Sequence, residues 1–575
     1  MNPLTYGGDE VSALVLDFGT QNTRAGYAGE EIPRCVVPTA YGYMEVEAEV
    51  PVESISTGVA VEDIAMNGNG SAGEEGTSPP LETPKPTEDL VEKIQDEQRQ
   101  ETADRVDGMD GIEEESKTGE DGDGKSAEPT EPTGTSEATQ AADDKRLSPS
   151  ERQRQGSPAQ ANGSNGINST KQSQPTMKKV RQKRFYVGEE GVNVWRAGME
   201  VGSMMTDGII TEAEPLPHLL SHILHDKLGV DPSEHALMVT EPAWNTPRAR
   251  ETLAEIAFEG EGVPAFYIAC NAVLSAFSAG KSTALIVDIG QDLVNVVPIC
   301  EGYAIRAGTM RQPLSMTFLE SQIEATLRQS NPNITFTPHH YVKGRTPVAL
   351  DQPAQVVLNQ QRIDKSTASW RSYAEQRVVQ DWKESVCEVS PFPYEPHSAN
   401  RQSKFYEFPD GYNHYYGNER YQLPEMLFKP ETFVNKTVPI PSRLGSTPDS
   451  ETSHSLSHIV GLADLVHNSI FALDVDQRAA LLQNIVVIGG GSFMPGLTDR
   501  LNFELAQRIP GSKIKIHSPG NSIERKYSAW LGGSILASLG TFHQLWVGQD
   551  EWKEHGANIL RQRKPFYFGQ SEYLD

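Results

Sequence analysis

Two short segments constrain what this chain can fold into more than any other feature. Leu14-Val15-Leu16-Asp17-Phe18-Gly19-Thr20 and Leu285-Ile286-Val287-Asp288-Ile289-Gly290-Gln291 share one pattern, an apolar run ending in Asp-x-Gly and a polar residue. The apolar run reads as a buried strand that delivers the aspartate. The glycine permits a tight hairpin with close backbone approach, and the turn N–H groups can point at an anion. One copy is an ordinary turn. Two copies in two halves of a chain read as facing hairpins that clamp a polyphosphate, their carboxylates holding a hydrated Mg²⁺.

A chain of 575 residues has room for about two to four domains. Its net charge of −29 is unevenly placed: 28 acidic and 6 basic residues lie between Glu47 and Asp144, but 10 basic and one acidic between Lys145 and Arg184. No Phe, Tyr or Trp occurs from Met44 to Arg184, so this stretch cannot bury enough apolar surface to offset its chain entropy. We read 47–184 as a disordered acidic insertion. Its basic end, Lys178-Lys179-Val180-Arg181-Gln182-Lys183-Arg184, reads equally as a nuclear import signal, a nucleic-acid contact or a solvated charge run. Ser148-Pro149 and Ser157-Pro158 are candidate phosphosites. Cys35, Cys270, Cys300 and Cys387 show no paired or metal-ligand spacing, which favours a reducing compartment. No apolar run approaches ~20 residues and the start lacks a secretory pattern, so a soluble intracellular protein with no membrane partner is expected.

Outside the insertion the pattern is α/β. Leu237 to Thr240, Ala265 to Ile268 and Asn484 to Ile488 read as short buried strands. Pro247 to Phe258, Asn271 to Ala279 and Leu497 to Ile509 read as helices, the second stopped by Gly280. Residues 340–400 have mixed patterning and read as an irregular insertion.

The last third carries a specific resemblance. Glu524-Arg525-Lys526-Tyr527-Ser528-Ala529-Trp530 and its continuation to Trp546 closely resemble the C-terminal block of actins. Tyr406 to Gly411, Gly417 to Arg420, Pro424 to Phe428, Arg24 to Gly29 and Asn271 to Ser275 match in order. Tyr6 to Val11 and Glu241 to Thr246 look like one nuclear subgroup, the actin-related protein 4 family. The resemblance implies the two-lobe α/β fold shared with hexokinases and heat-shock chaperone ATPases, each lobe a mixed sheet with flanking helices and a nucleotide cleft between. It divides the chain into a small lobe (1–46, 185–278 and 528–575), the insertion (47–184), and a large lobe (279–527) with a loop near 440–458.

It further implies ATP and Mg²⁺ as ligands. Asp17 and Asp288 fall at the positions that hold Mg²⁺ through water. The turns around Gly19 and Gly290, with Thr20, fall on the phosphates, and Arg24 where actins carry a phosphate-contacting lysine. Lys383 and Glu384 match the base and ribose pair, Gly489-Gly490-Gly491 the adenosine-side glycine turn, and Lys526 an adenine-flanking lysine. Departures are as informative. Gln21 and Asp292 replace hairpin glycines, and Asp292 would repel a triphosphate unless it points away. Gln291 replaces a ribose-contacting aspartate, and Met494 stands where an aromatic ring would cover adenine. The two positions that line up the attacking water are Asn271 and Asn295. Misplacing a group by ~1 Å can cost ~10²-fold in phosphoryl transfer, so no catalytic residue and negligible hydrolysis are expected.

The implied role is a non-polymerising nuclear subunit of histone acetyltransferase and ATP-dependent chromatin-remodelling complexes. Its implied partners are monomeric actin, a long helix of the scaffold or motor subunit received in a groove near Tyr27, Ala28, Ile535 and Leu536, and histones or nucleosomes engaged by the acidic insertion. Two alternatives are a polymerising cytoskeletal ATPase and a small-molecule kinase. The first is disfavoured by Asn271, Asn295 and an insertion where actins have a subunit-contact loop. The second needs a substrate-side catalytic aspartate, for which Asp292 is the candidate.

Overall fold

A computed structural model describes residues 12–51, 177–330, 334–396, 402–439, 459–562 and 567–568. Residues 52–176 of the expected insertion, both Ser-Pro sites, the Tyr6 to Val11 motif and the loop near 440–458 lie outside the described residues.

Strands β1 (Leu14–Phe18), β2 (Asn22–Tyr27) and β3 (Cys35–Pro38) form an antiparallel meander. β4 (Ala40–Pro51), β5 (Met177–Tyr186) and β6 (Glu200–Ser203) make a separate sheet in the order β5-β4-β6, and β7 (Met205–Thr206) and β8 (Ile209–Ile210) a short hairpin. β9 (Leu237–Glu241) then lies parallel to β1, and β10 (Ala265–Cys270) parallel to β9. The pattern repeats. β11 (Ala284–Ile289), β12 (Val294–Cys300), β13 (Tyr303–Ile305) and β14 (Met310–Gln312) make the second meander. After two hairpins, β15 (Val342–Thr346) with β16 (Gln355–Leu358) and β17 (Lys404–Glu407) with β18 (Asn413–Tyr416), β19 (Ile485–Ile488) lies parallel to β11 and β20 (Ile516–His517) beside it. β21 (Val547–Gly548) closes the edge of the first sheet on β10, and β22 (Tyr567–Phe568) that of the second on β13. Each lobe thus has the same core, one parallel neighbour and an antiparallel meander, as expected.

Four helices position the site: α1 (Asn271–Ser278), α2 (Met316–Arg328), α3 (Ala368–Val386) and α4 (Ser528–Ser538). Strand alternation explains where the aspartates go. Leu14, Leu16 and Phe18 enter one core cluster, whereas Val15, on the opposite face, packs with Leu274 of α1 and Trp530 of α4. Leu285, Val287 and Ile289 likewise enter the second-lobe core, whereas Ile286 packs with Ala272, Val273 and Ala276 of α1. Asp17 shares its face with Val15, and Asp288 with Ile286. Both therefore point to the side where α1 lies between the lobes. α1 and α4 cross in close contact: a Cβ on Gly532 would lie 1.9 Å from the Leu274 carbonyl oxygen, so only glycine fits.

A second junction closes the outer end. Val192, Met199 and Val201 of the first lobe are buried with Tyr341, Trp370 and Ala374 of the second in one cluster. Gly198 N donates to Lys365 O at 2.9 Å, Trp195 Nε1 to Ser366 Oγ at 2.8 Å, Val201 N to Ser369 Oγ at 2.9 Å and Tyr373 Oη to Asn193 Oδ1 at 2.8 Å. Arg377 also donates to Asn193, and His340 Nε2 lies 3.1 Å from its carbonyl oxygen.

Three expectations about boundaries are corrected. The described part of 340–400, residues 340–396, is not irregular: it contains the β15–β16 hairpin, the helix Gln360–Lys365 and α3. Trp370, Ala374, Val378, Trp382 and Val386 recur every fourth residue and are buried, and Thr367 Oγ1 caps the helix from Trp370 N. The ends of 47–184 are strands, since β4 runs to Pro51 and β5 starts at Met177; the basic run is the edge strand β5, where Lys183 pairs with Glu214 at 2.7 Å. The C-terminal segment is divided, because β22 leaves the first lobe and joins the second sheet.

Candidate functional site

The two Asp-x-Gly hairpins have one geometry. Gly19 N donates to Asn22 O at 3.1 Å and Gly290 N to Leu293 O at 2.9 Å, the same bond three residues on. Register then places Arg24 opposite Asp17 and Asn295 opposite Asp288. Each opposite residue bonds its aspartate: Arg24 Nη1 to Asp17 Oδ2 at 2.9 Å, and Asn295 Nδ2 to Asp288 Oδ2 at 3.3 Å. Thr240 of β9 donates to the other Asp17 oxygen at 2.7 Å.

Between the hairpins lies a cavity of about 720 Å³, within the range of small-molecule sites. Asp17, Gly19, Thr20, Gln21, Arg24, Asn271, Asp288, Gly290, Gln291 and Asn295 line it, as do Lys383, Glu384, Gly489, Gly490, Gly491, Met494 and Lys526. Gly489 is required on two counts. Its φ is +88°, and a Cβ there would meet Asp288 Oδ1 at 2.3 Å.

Asp292 is the expected site residue that the structure places elsewhere. It is not part of the cavity wall, and its Oδ1 accepts from Thr317 Oγ1 of α2 at 2.9 Å. The repulsion expected from an added carboxylate is thereby avoided. Gln21 turns across the cleft instead, its Nε2 donating to Gln380 Oε1 of α3 at 2.9 Å, and Gln380 Nε2 donates to Glu384 Oε1 at 2.7 Å.

Several neighbours escaped the sequence reading. Glu320 of α2, 5 % exposed, accepts from Lys383 Nζ at 2.7 Å and from Gln291 Nε2 at 3.0 Å. A carboxylate on the buried face of an amphipathic helix was the available signal. Phe493, 39 % exposed, adjoins Met494 on the cavity wall, with Arg525 5.1 Å over its ring. An aromatic surface is thus present one residue before the position where it was sought. Tyr527 also lines the cavity, with the Arg24 guanidinium 5.6 Å and the Lys526 ammonium 5.8 Å from its ring centre. Among the described residues Arg24 Nε is buried without a hydrogen-bond partner.

Enclosure by protein pushes the Asp288 carboxyl up to about 6, against the pull of the Asn295 hydrogen bond; the negative charge of Asp17 adds to the rise. Two carboxylates that repel each other on one cavity wall are a donor set that a hydrated divalent cation would relieve. The residues fit Mg²⁺ in that respect. Among the described residues no group of three or more His, Cys, Asp or Glu could hold a metal directly.

Residues 8–102 and 138–565 match the family model described as Actin. The chain belongs to the actin family. Over 98 % of its length this actin-family chain is 37 % identical to "Actin-related protein 4" of Mycosarcoma maydis, covering 99 % of that protein. It is 38 % identical to "Actin-related protein 4" of Schizosaccharomyces pombe over 66 % of the chain and 87 % of the relative. It is 37 % identical to "SWI/SNF and RSC complexes subunit arp42" of the same organism, over 65 % of the chain and 87 % of the relative. The motifs that carry the actin resemblance have structural work here: Glu241 pairs with Arg250 at 2.6 Å, Glu425 with Arg500 at 2.6 Å, and Trp530 Nε1 donates to Val15 O at 3.0 Å. Among the described residues no helix is long and apolar enough to cross a membrane.

Proposed function

We propose that this chain is a nuclear, non-polymerising actin-related subunit of histone acetyltransferase and ATP-dependent chromatin-remodelling complexes, which holds ATP between its lobes with negligible turnover. The relative named as a subunit of SWI/SNF and RSC complexes supports the assembly and the nuclear location. One observation carries the nucleotide half. The residues at the two water-positioning sites are amides, and Asn295 is bonded to Asp288 rather than open to a proton. Neither Asn271 nor Asn295 can act as a general base, and among the described residues no histidine lines the cavity.

Asp17 and Asp288 would hold Mg²⁺ through water, and the ion would offset phosphate charge. The hairpin turns and Arg24 would take the phosphates; Lys526, Phe493, Met494 and the glycine turn the adenosine. A ligand so held stabilises the closed pair of lobes by mass action. Monomeric actin and a scaffold or motor-subunit helix are the proposed partners of the groove near Tyr27, Ala28, Ile535 and Leu536. Histones or nucleosomes are the proposed partners of the acidic segment.

Full-length protein retained on ATP, followed through a single turnover, tests the nucleotide half: bound ATP recovered unhydrolysed is expected, and an actin-like rate refutes it. Affinity purification from nuclear extract tests the rest. Recovery of actin with acetyltransferase or remodeller subunits is expected; recovery of self-polymer alone overturns the assignment.

A further inference from the structure

We propose that Glu320, one layer behind the cavity wall, fixes the amide of Gln291 with its oxygen toward the ligand, and so makes the site select a sugar hydroxyl that donates its proton. The inference rests on the nucleotide reading and adds to it the positioning residue that sets sugar selectivity.

Gln291 is held from two directions by α2. Its carbonyl oxygen accepts from Thr317 N, in the first turn of that helix, at 2.7 Å. One turn on, Glu320 takes the side chain: Gln291 Nε2 lies 3.0 Å from each carboxylate oxygen. Gln291 lines the cavity and Glu320 does not, so Glu320 acts on a ligand only through the residues it holds. Lys383 is the second of these. Its Nζ is 2.7 Å from Glu320 Oε1, and both side chains are 6 % exposed. The buried ion pair fixes the carboxylate in place behind the wall.

A carboxylate accepts hydrogen bonds and gives none, whereas an amide has donors at one end and an acceptor at the other. Turning the Gln291 amide over would set its oxygen against both Glu320 oxygens, exchanging charge-assisted hydrogen bonds for repulsion between lone pairs. An amide's orientation is decided by its neighbours, and this neighbour permits one. Nε2 is committed to Glu320, and Oε1 is the polar atom that Gln291 can offer to a ligand. Gln291 directly follows Gly290, the turn of the second hairpin. A nucleotide whose phosphates rest on that turn presents to the next residue the group bonded to them, the sugar. Oε1 can accept from a sugar hydroxyl and offers nothing to a substituent without a proton.

Equilibrium binding to the full-length protein in Mg²⁺ tests this with ATP and its 2′-fluoro-2′-deoxy and 3′-fluoro-3′-deoxy analogues. Fluorine takes the place of the hydroxyl and carries no proton. Wild type should bind one of the two analogues about tenfold more weakly than ATP. Gln291→Met, which leaves the Glu320–Lys383 pair intact, should cut that penalty to about threefold or less. So should Glu320→Gln: Lys383 keeps the oxygen of the new amide, its NH₂ then faces Gln291, and Gln291 turns over to present a donor. A Glu320 that served only as scaffold would weaken ATP and its analogues alike and leave the ratio at the wild-type value. Affinities are taken per folded molecule, and Gln291→Met decides the matter should Glu320→Gln not fold. Wild type that binds ATP and both analogues equally overturns the proposal and leaves the nucleotide reading standing. So does the full penalty retained in either variant. If ATP itself does not bind, the nucleotide reading and the selectivity fall together.

Discussion

Gln21 Nε2 donates to Gln380 Oε1 at 2.9 Å, joining the first phosphate hairpin to α3 across 359 positions of chain. The family resemblance puts glycine at position 21, so this bridge is a departure that ties the lobes beside the cavity. Gln21→Gly should remove it without emptying a core, since both side chains are only part-buried. Stability should fall by about 1 kcal/mol and ATP should leave several-fold faster. Stopped-flow displacement of a fluorescent analogue measures the second effect; an unchanged rate would show that the bridge plays no part in retention.

Asn271 and Asn295 are the residues on which the proposed absence of turnover rests. The double change Asn271→Gln and Asn295→His restores a longer amide and a titratable nitrogen next to Asp288. Hydrolysis in a single-turnover assay should rise by about 10²-fold, the scale of a positioning defect. A double variant as slow as wild type would place the block elsewhere, with the Gln21 bridge the next candidate.

His340, whose Nε2 lies 3.1 Å from the Asn193 carbonyl oxygen at the outer junction of the lobes, is expected to make stability sensitive to acid. Burial holds its pKa below the usual value, as do the nearby charges of Arg362, Arg377 and His339, against the pull of the Asn193 carbonyl. The folded state thus binds the proton less readily than the unfolded chain. Its contribution is present above the ordinary histidine pKa and is lost as pH falls below it. Urea unfolding should show a larger loss of stability between pH 7.5 and 5.5 in wild type than in His340→Gln. Equal losses would assign the acid response to other groups.

Glu425, in one of the motifs shared with actins, is 1 % exposed and grips the fully buried Arg500 at 2.6 and 2.8 Å, with the Phe428 ring 4.8 Å from the guanidinium. Among the described residues, Glu425→Gln leaves that cation with only Glu504 as counter-ion, at 2.9 Å. A loss of about 3–5 kcal/mol is expected in chemical denaturation, with ATP affinity per folded molecule unchanged. A loss under about 1 kcal/mol would show that Glu504 suffices.

What the sequence determined by itself is local and periodic. Apolar runs that end in Asp-x-Gly specified two strands, two turns and two aspartates, because strand alternation and glycine geometry act within a few residues. The helices at Asn271 and Leu497 followed from the same short-range rules, and the motif order was enough to name the family. α3 was legible in principle from its four-residue spacing, but the hairpin and short helix before it obscured where the period began. The pairing of charges and amides was decided only in three dimensions. Nothing near Lys383 in the chain announces Glu320, and nothing near Asp292 announces Thr317. Gln21 meets Gln380, Asn193 meets Tyr373, and Trp530 meets Val15 over 515 positions. Such partners are chosen by how two lobes close on one another, and a hydrogen bond depends on distance and angle in space, not on separation along the chain. The paired hairpins could therefore be read as a clamp from the sequence, whereas the bonds that keep it shut required the fold.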